Sequence, residues 1–278
     1  MIPSRIKATV AAGIALAAAI ALAGCTSTST SAAGSSTLTN VLKAKTLKAG
    51  MVLSLPPLES KDSSGKAVGF DVDLAQELAD SLGAKLEVVP LTTDNRIAAV
   101  QTAKVDVLFS APAITLQRAQ TVNFTDPYIA AGTSLVVQKS AGISTEKEMA
   151  GKQIGVLKGT IHPEVAKTVW PDSAQTNFET ASDELTALKN SSISGFLADG
   201  NSAAYYAKQD SSLSVINLPA SQAAIEYDGL AVRQGDADWL TYLNTFLQNG
   251  EADGSTATLY KKWFGSDPAY HPEYWLND

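Results

Sequence analysis

Arg118 is the residue around which a binding chemistry can be built. It follows the loop Ser110-Ala111-Pro112-Ala113 and sits in the first turn of a short helix that Thr115 is placed to cap. A loop rim with free backbone N–H groups and a guanidinium beside it is a site for a carboxylate. The amides supply fixed partial positive charge and the guanidinium a two-pronged donor. An ordinary strand-to-helix loop with a solvated arginine fits this stretch alone equally well. The turn Lys158-Gly159-Thr160-Ile161 has related ingredients: Gly159 allows close backbone approach, and Thr160 is placed to cap the next helix. A further strand is expected over 193–198, ending at Asp199. With Asn201 and Ser202 following it, Asp199 serves as well for a helix cap as for an acid facing a ligand cation.

Several elements must position these groups. The β-branched and aromatic run over 105–109 predicts a strand leading into the Ser110 loop. Before it, Asn95 is placed to cap a helix in which Ile97 and Val100 set a three-residue apolar step. Further strands are expected over 46–53, 85–91 and 152–157, and a β-rich run over 132–139 predicts a crossing to a second lobe. A helix starting at Gly69-Phe70 carries Ala75, Leu78, Ala79 and Leu82 on one face. Asp71 and Asp73 at its start suit the helix dipole, and no third ligand nearby supports a metal. His162 and His271 are the only histidines, so no His-based metal site is expected, and His162 is assigned to the surface or to a cap. A turn at Tyr227-Asp228-Gly229 should return the chain over 230–234 to the first lobe. The amphipathic helix expected over 236–248 buries Trp239, Leu240, Leu243, Phe246 and Leu247 as core and breaks at Asp253-Gly254.

The first residues read as processing signals. Arg5 and Lys7 precede an apolar run over 8–23, too short and too small in its side chains for a comfortable membrane span. It ends in Leu22-Ala23-Gly24-Cys25, which resembles a bacterial lipobox and implies cleavage before Cys25 with a diacylglycerol on its sulfur. Such a lipid would hold the protein against the outer face of a membrane. A plain secretory signal with an accidental cysteine is the other interpretation. Cys25 is the only cysteine, which excludes an intramolecular disulfide. Residues 25–37 are rich in Ser, Thr, Ala and Gly, a composition that reads as a flexible tether. Loss of residues 1–24 leaves 19 basic against 28 acidic residues, a net charge of −9, which argues against nucleic-acid binding. Roughly 240 residues remain after the tether, enough for two lobes or one large domain.

The stretch NRIAAVQTAKVDVLFSAPAITLQRAQTVNFTDPY over 95–128 resembles the signature of the family 3 extracellular solute-binding proteins, the amino-acid-binding components of ABC importers. It keeps Asn95, Arg96, Ile97, Lys104, Asp106, Thr115, Arg118, Val122, Phe124, Pro127 and Tyr128. It departs at Ala98, where the family often has Pro, and at Ala113, where it usually has Ser or Thr. The segments GFDVDLA, GKQIGVLKGT and LYKKWFG, and Asp199 at its strand end, extend the resemblance over about residues 40–265.

What the resemblance implies is an α/β, two-lobed fold of the type II periplasmic-binding-protein kind, with two hinge crossovers and a central cleft. The expected boundaries are 38–131 and 229–278 for lobe one and 132–228 for lobe two. Arg118, the N–H groups of Ala111 and Ala113 and the turn Gly159-Thr160-Ile161 would hold an α-carboxylate, Asp199 an α-ammonium, and Ser110 would be a further ligand-binding residue. Leu55, Thr93 and Arg96, near Val52, would face the ligand side chain. No acid occurs near Val52, so lysine, arginine and ornithine are disfavoured, and a neutral or polar amino acid is favoured over an acidic one. The expected partners are that ligand and a membrane permease, for a monomer without cofactor. Two other classes stay open. A cyclohexadienyl or arogenate dehydratase would carry a Glu three residues after the acid matching Asp199, where this chain has Ser202, so its proton donor is expected to be missing. A ligand sensor would need a separate signalling partner.

Overall fold

A computed structural model describes residues 36–267. Ser36 caps helix α1 (Thr37–Ala44), so regular structure starts at the last residue of the expected tether. Cys25 and residues 1–24 lie outside the described residues.

Lobe one begins with β1 (Thr46–Met51), the hairpin β2 (Ser60–Lys61) and β3 (Ala67–Val68), and α2 (Phe70–Ser81). β4 (Lys85–Pro90), α3 (Arg96–Gln101), β5 (Val107–Leu108), α4 (Leu116–Ala119) and β6 (Asn123–Ala131) follow. The chain then crosses at Gly132 into lobe two: β7 (Thr133–Gln138), β8 (Ile154–Leu157), α5 (His162–Val169), β9 (Gln175–Phe178), α6 (Ala181–Lys189), β10 (Gly195–Asp199), α7 (Gly200–Gln209) and β11 (Leu213–Asn217). Residues 218–225 cross back, and β12 (Glu226–Val232), α8 (Ala237–Asp253) and α9 (Ser255–Phe264) complete lobe one.

Each lobe is built on a five-stranded mixed sheet, ordered β4-β1-β5-β12-β6 in lobe one and β11-β7-β10-β8-β9 in lobe two. Both sheets are covered on both faces, which is why their central strands read as continuous apolar runs. In α8, Trp239 and Leu243 are fully buried and Leu247 nearly so, while Leu240 and Phe246 pack at its margin. Asp236 caps this helix and Gly254, in the left-handed region, ends it.

Three expectations are corrected. Tyr227-Asp228-Gly229 is not a turn but part of β12, which pairs antiparallel with β6 and shifts register at Asp228/Gly229. A bulge in a paired strand accommodates the polar and glycine residues that imitated a turn signal, and the return to lobe one starts at Glu226. Asn95 does not cap α3; its Oδ1 accepts from the N–H of Thr92 at 3.0 Å instead. Asp71 and Asp73 do more than favour a helix dipole. Asp71 is fully buried and accepts from Ser110 N–H at 2.7 Å and from the Tyr128 hydroxyl at 2.9 Å. Asp73 takes 2.6 Å bonds from Lys262 Nζ and Trp263 Nε1, tying α2 to α9.

Candidate ligand-binding site

The loops after β5, β8 and β10 leave the C-terminal ends of their strands and converge between the lobes, where small ligands bind in open α/β sheets. On lobe one, Ser110 and Ala111 have φ values of 76° and 39°. Side-chain-bearing residues in this left-handed region cost roughly 1–2 kcal/mol each. The buried Asp71 carboxylate on Ser110 N–H and the Tyr128 hydroxyl, which accepts from Ala111 N–H at 3.0 Å, hold the strained loop. Burial raises the Asp71 pKa to about 7, against the pull of these donors.

Thr115 caps α4 as expected, its Oγ1 accepting from Arg118 N–H at 3.1 Å. The guanidinium of Arg118 donates through Nη1 to the Ala113 carbonyl at 2.8 Å and through Nη2 to the Gly159 carbonyl of lobe two at 2.9 Å. Arg96 donates to the Ser110 carbonyl at 2.6 Å and reaches the same Gly159 carbonyl at 3.4 Å. Its Nε, though buried, has no partner. Burial and the neighbouring Arg118 charge lower the Arg96 pKa to about 10. Gly159 has φ +71°, and a Cβ there would sit 2.3 Å from the Thr93 carbonyl oxygen. Only glycine lets the two lobes approach this closely.

Asp199 ends β10 and caps α7, accepting from Ser202 N–H at 3.0 Å. The cap, one of the two alternatives open from the sequence, is formed, and the same carboxylate also lines the cavity. Burial raises its pKa against the pull of the Ser202 N–H bond. The space left between the lobes is about 60 Å³, well below the roughly 300–1,000 Å³ of ligand pockets. The lobes are thus closed, and an amino-acid-sized molecule enters only if they part.

Of the residues expected at the site, Leu55, Arg96, Ser110, Ala111 and Ala113 line this cavity from lobe one together with Arg118. Thr160, Ile161 and Asp199 line it from lobe two. Leu55 packs against apolar clusters of both lobes. Gly159 contributes its carbonyl to the arginines, while Thr93 is buried behind the lining and its hydroxyl has no partner. The Ala111 N–H is occupied by Tyr128 and is not free for a ligand, which corrects that part of the expectation. The Ala113 N–H has no partner among the described residues.

The larger correction concerns acids. His162, expected at the surface or in a cap, is buried in the cavity wall 3.5 Å from Glu226. Burial opposes ionisation of Glu226, but His162, the Thr133 hydroxyl and Arg118 hold its pKa below the usual glutamate value. Asp228 and Glu184 also line the cavity, each with one carboxylate oxygen unpartnered. Burial pushes both well above the ordinary range, reinforced for Asp228 by Glu226 and Asp199. A cationic side chain would therefore meet carboxylates, supplied by α6 and β12. The proton-donor argument changes too, since Glu184 is a buried acid facing the same space as Ser202. Near Val52, Glu59 accepts the Val52 N–H at 2.7 Å, although it is fully buried and does not line the cavity. Glu184 had a signal in the sequence: Ala181, Glu184 and Leu188 share the buried helical face that Thr180 caps. Among the described residues no cluster could hold a metal ion.

The family described as bacterial extracellular solute-binding proteins, family 3, matches residues 47–266. The chain belongs to this family. Among similar family members, the putative ABC transporter arginine-binding protein 2 of Escherichia coli K12 is 30% identical over 223 residues, covering 80% of this chain and 91% of that protein. The L-cystine-binding protein TcyJ of the same strain is 27% identical over 237 residues, with 84% and 88% covered. The crystal structure of the ancestral amino acid-binding protein AncCDT-1, a precursor of cyclohexadienyl dehydratase, superposes with a TM-score of 0.77 at 35% identity, covering 82% of this chain and all of that one. The fold is the two-lobed type II architecture of these solute-binding proteins. Among the described residues of this family member, no helix is long and apolar enough to cross a membrane.

Proposed function

We propose that this protein is the extracytoplasmic substrate-binding component of an ABC importer, capturing an amino acid between two closing lobes and delivering it to a membrane permease. The observation that carries this proposal is the placement of Arg118 and Asp199 on opposite lobes around one cavity. A zwitterion bridging them favours the closed state, because only closure brings both charges to it. The α-carboxylate would lie against Arg118, the Ala113 N–H and the Gly159–Ile161 turn, and the α-ammonium against Asp199. In this account Arg118 exchanges its bond to the Gly159 carbonyl for the ligand. Leu55 and Arg96 face the ligand side chain. The functional unit is a monomer of two lobes, without cofactor. Residues 1–24 serve as a signal peptide, and a diacylglycerol on Cys25 anchors the protein to the outer face of the membrane.

A thermal-shift panel of the twenty amino acids tests this function. A ligand at 100 times its Kd adds roughly 2.7 kcal/mol of stability, and the proposal fails if no amino acid shifts the transition. A second function, dehydration of a cyclohexadienyl substrate, gains support from Glu184, whose burial-raised pKa suits a proton donor. Turnover of prephenate or arogenate by the purified protein would establish it. Binding without turnover is the expected result.

A further inference from the structure

Glu184 is 2% exposed, and its Oε1 has no hydrogen-bond partner. It projects from the first turn of α6 into the cavity wall beside Phe196, Tyr206 and Ser202. No Lys or Arg of lobe two accompanies it there: the cavity's two guanidiniums belong to Arg96 and Arg118 of lobe one, already bonded to backbone carbonyls. The Ser202 hydroxyl is also buried without a partner. A buried acid left unpaired either keeps its proton or is completed by a group that enters the site.

The charges of the wall give the sign of that group. Glu184, Asp199, Glu226 and Asp228 face two arginines and His162. The α-carboxylate and α-ammonium of an amino acid use Arg118 and Asp199 and cancel each other. The remaining wall holds Glu184, Asp228 and Glu226 beside Arg96 and His162, and Glu184 and Asp228 keep their protons to raised pH for want of a partner. A neutral side chain therefore leaves Glu184 without a charge partner, whereas a cation beside it favours its ionised form. An ammonium or guanidinium supplies both the charge and several donors.

We infer that Glu184 is a specificity-determining residue that receives the cationic end of a basic amino-acid side chain, with Ser202 as a neighbouring acceptor. This rests on the amino-acid-binding function proposed above. The contact lies on lobe two, so recognition of the side chain adds to the interactions made only when the lobes close.

Calorimetric titration of the purified protein with L-arginine and its neutral isostere L-citrulline tests the assignment. The wild type should bind arginine at least about tenfold more tightly than citrulline, and Glu184→Gln should bring the ratio of the two Kd values close to one. Glu184→Asp, which keeps the charge, should retain part of the preference. Equal binding of the two ligands by the wild type, or an unchanged ratio in a folded Glu184→Gln protein, overturns the assignment while leaving amino-acid binding intact. Failure of every amino acid to bind the wild type overturns both.

Discussion

Arg118 and Gly159 tie the two lobes together at the cavity: Arg118 Nη2 donates to the Gly159 carbonyl at 2.9 Å. The guanidinium belongs to the lobe-one site, and the carbonyl opens the turn that brings Thr160 and Ile161 to the cavity. The bond uses a donor that a carboxylate would accept from, so closure and capture compete for one group. Exchange of a neutral carbonyl for a charged carboxylate favours the ligand-bound form, since charge-assisted bonds are roughly twice as strong.

Gly159→Ala tests that closure. The new Cβ would meet the Thr93 carbonyl oxygen at 2.3 Å, in a left-handed conformation. The variant should fold, because each lobe has its own core, yet close poorly. A loss of ligand affinity of about tenfold or more is expected, equivalent to at least roughly 1.4 kcal/mol. Scattering measurements on the variant should find the lobes open in the presence of ligand.

Tyr128→Phe removes the hydroxyl that accepts from Ala111 N–H and donates to Asp71. It leaves a buried carboxylate oxygen and a strained amide without their partner. The expected loss is roughly 1–3 kcal/mol of unfolding stability, read by denaturant titration. Affinity should fall as well, because the Ser110–Ala111 loop is no longer held.

Glu184 also gives a pH-dependent prediction for the protein without ligand. Burial raises its folded pKa, so the folded state holds this proton to higher pH than the unfolded chain does. Its cost to stability is absent below the ordinary glutamate range and grows as pH rises toward the folded pKa. Glu184→Gln removes that cost, so its transition temperature relative to wild type should be higher at pH 8 than at pH 5. A difference that is flat, or of opposite slope, contradicts the burial of an unpaired acid here.

Cys25→Ser tests the anchor. The variant expressed in a native-like host should appear in the soluble extracytoplasmic fraction instead of the membrane. Equal membrane retention of the two forms excludes a lipid on Cys25.

Much of the fold was legible because buried parallel strands and amphipathic helices leave strong patterns. The strand before Ser110, the cap at Thr115 and the core face of α8 are local features, and local physics places them. The Arg118 and Asp199 sides of the cavity were legible from loop chemistry and family resemblance. The second set of acids was not. Asp228 and Glu226 sit on a strand whose bulge imitates a turn, and only its pairing with β6 shows the register. His162 joins them by tertiary contact, since 64 positions separate it from Glu226. Asp71 read as a helix-start acid because nothing local reveals that the Ser110 loop folds over it.

Isothermal titration calorimetry of the best amino acid found by thermal shift, against wild type, Arg118→Ala and Asp199→Ala, tests the central claim most directly. The wild type should bind one equivalent, and each variant should lose roughly 2–5 kcal/mol, because truncation leaves one desolvated ligand charge unpaired. Near-normal affinity in both variants would contradict a zwitterion held between Arg118 and Asp199.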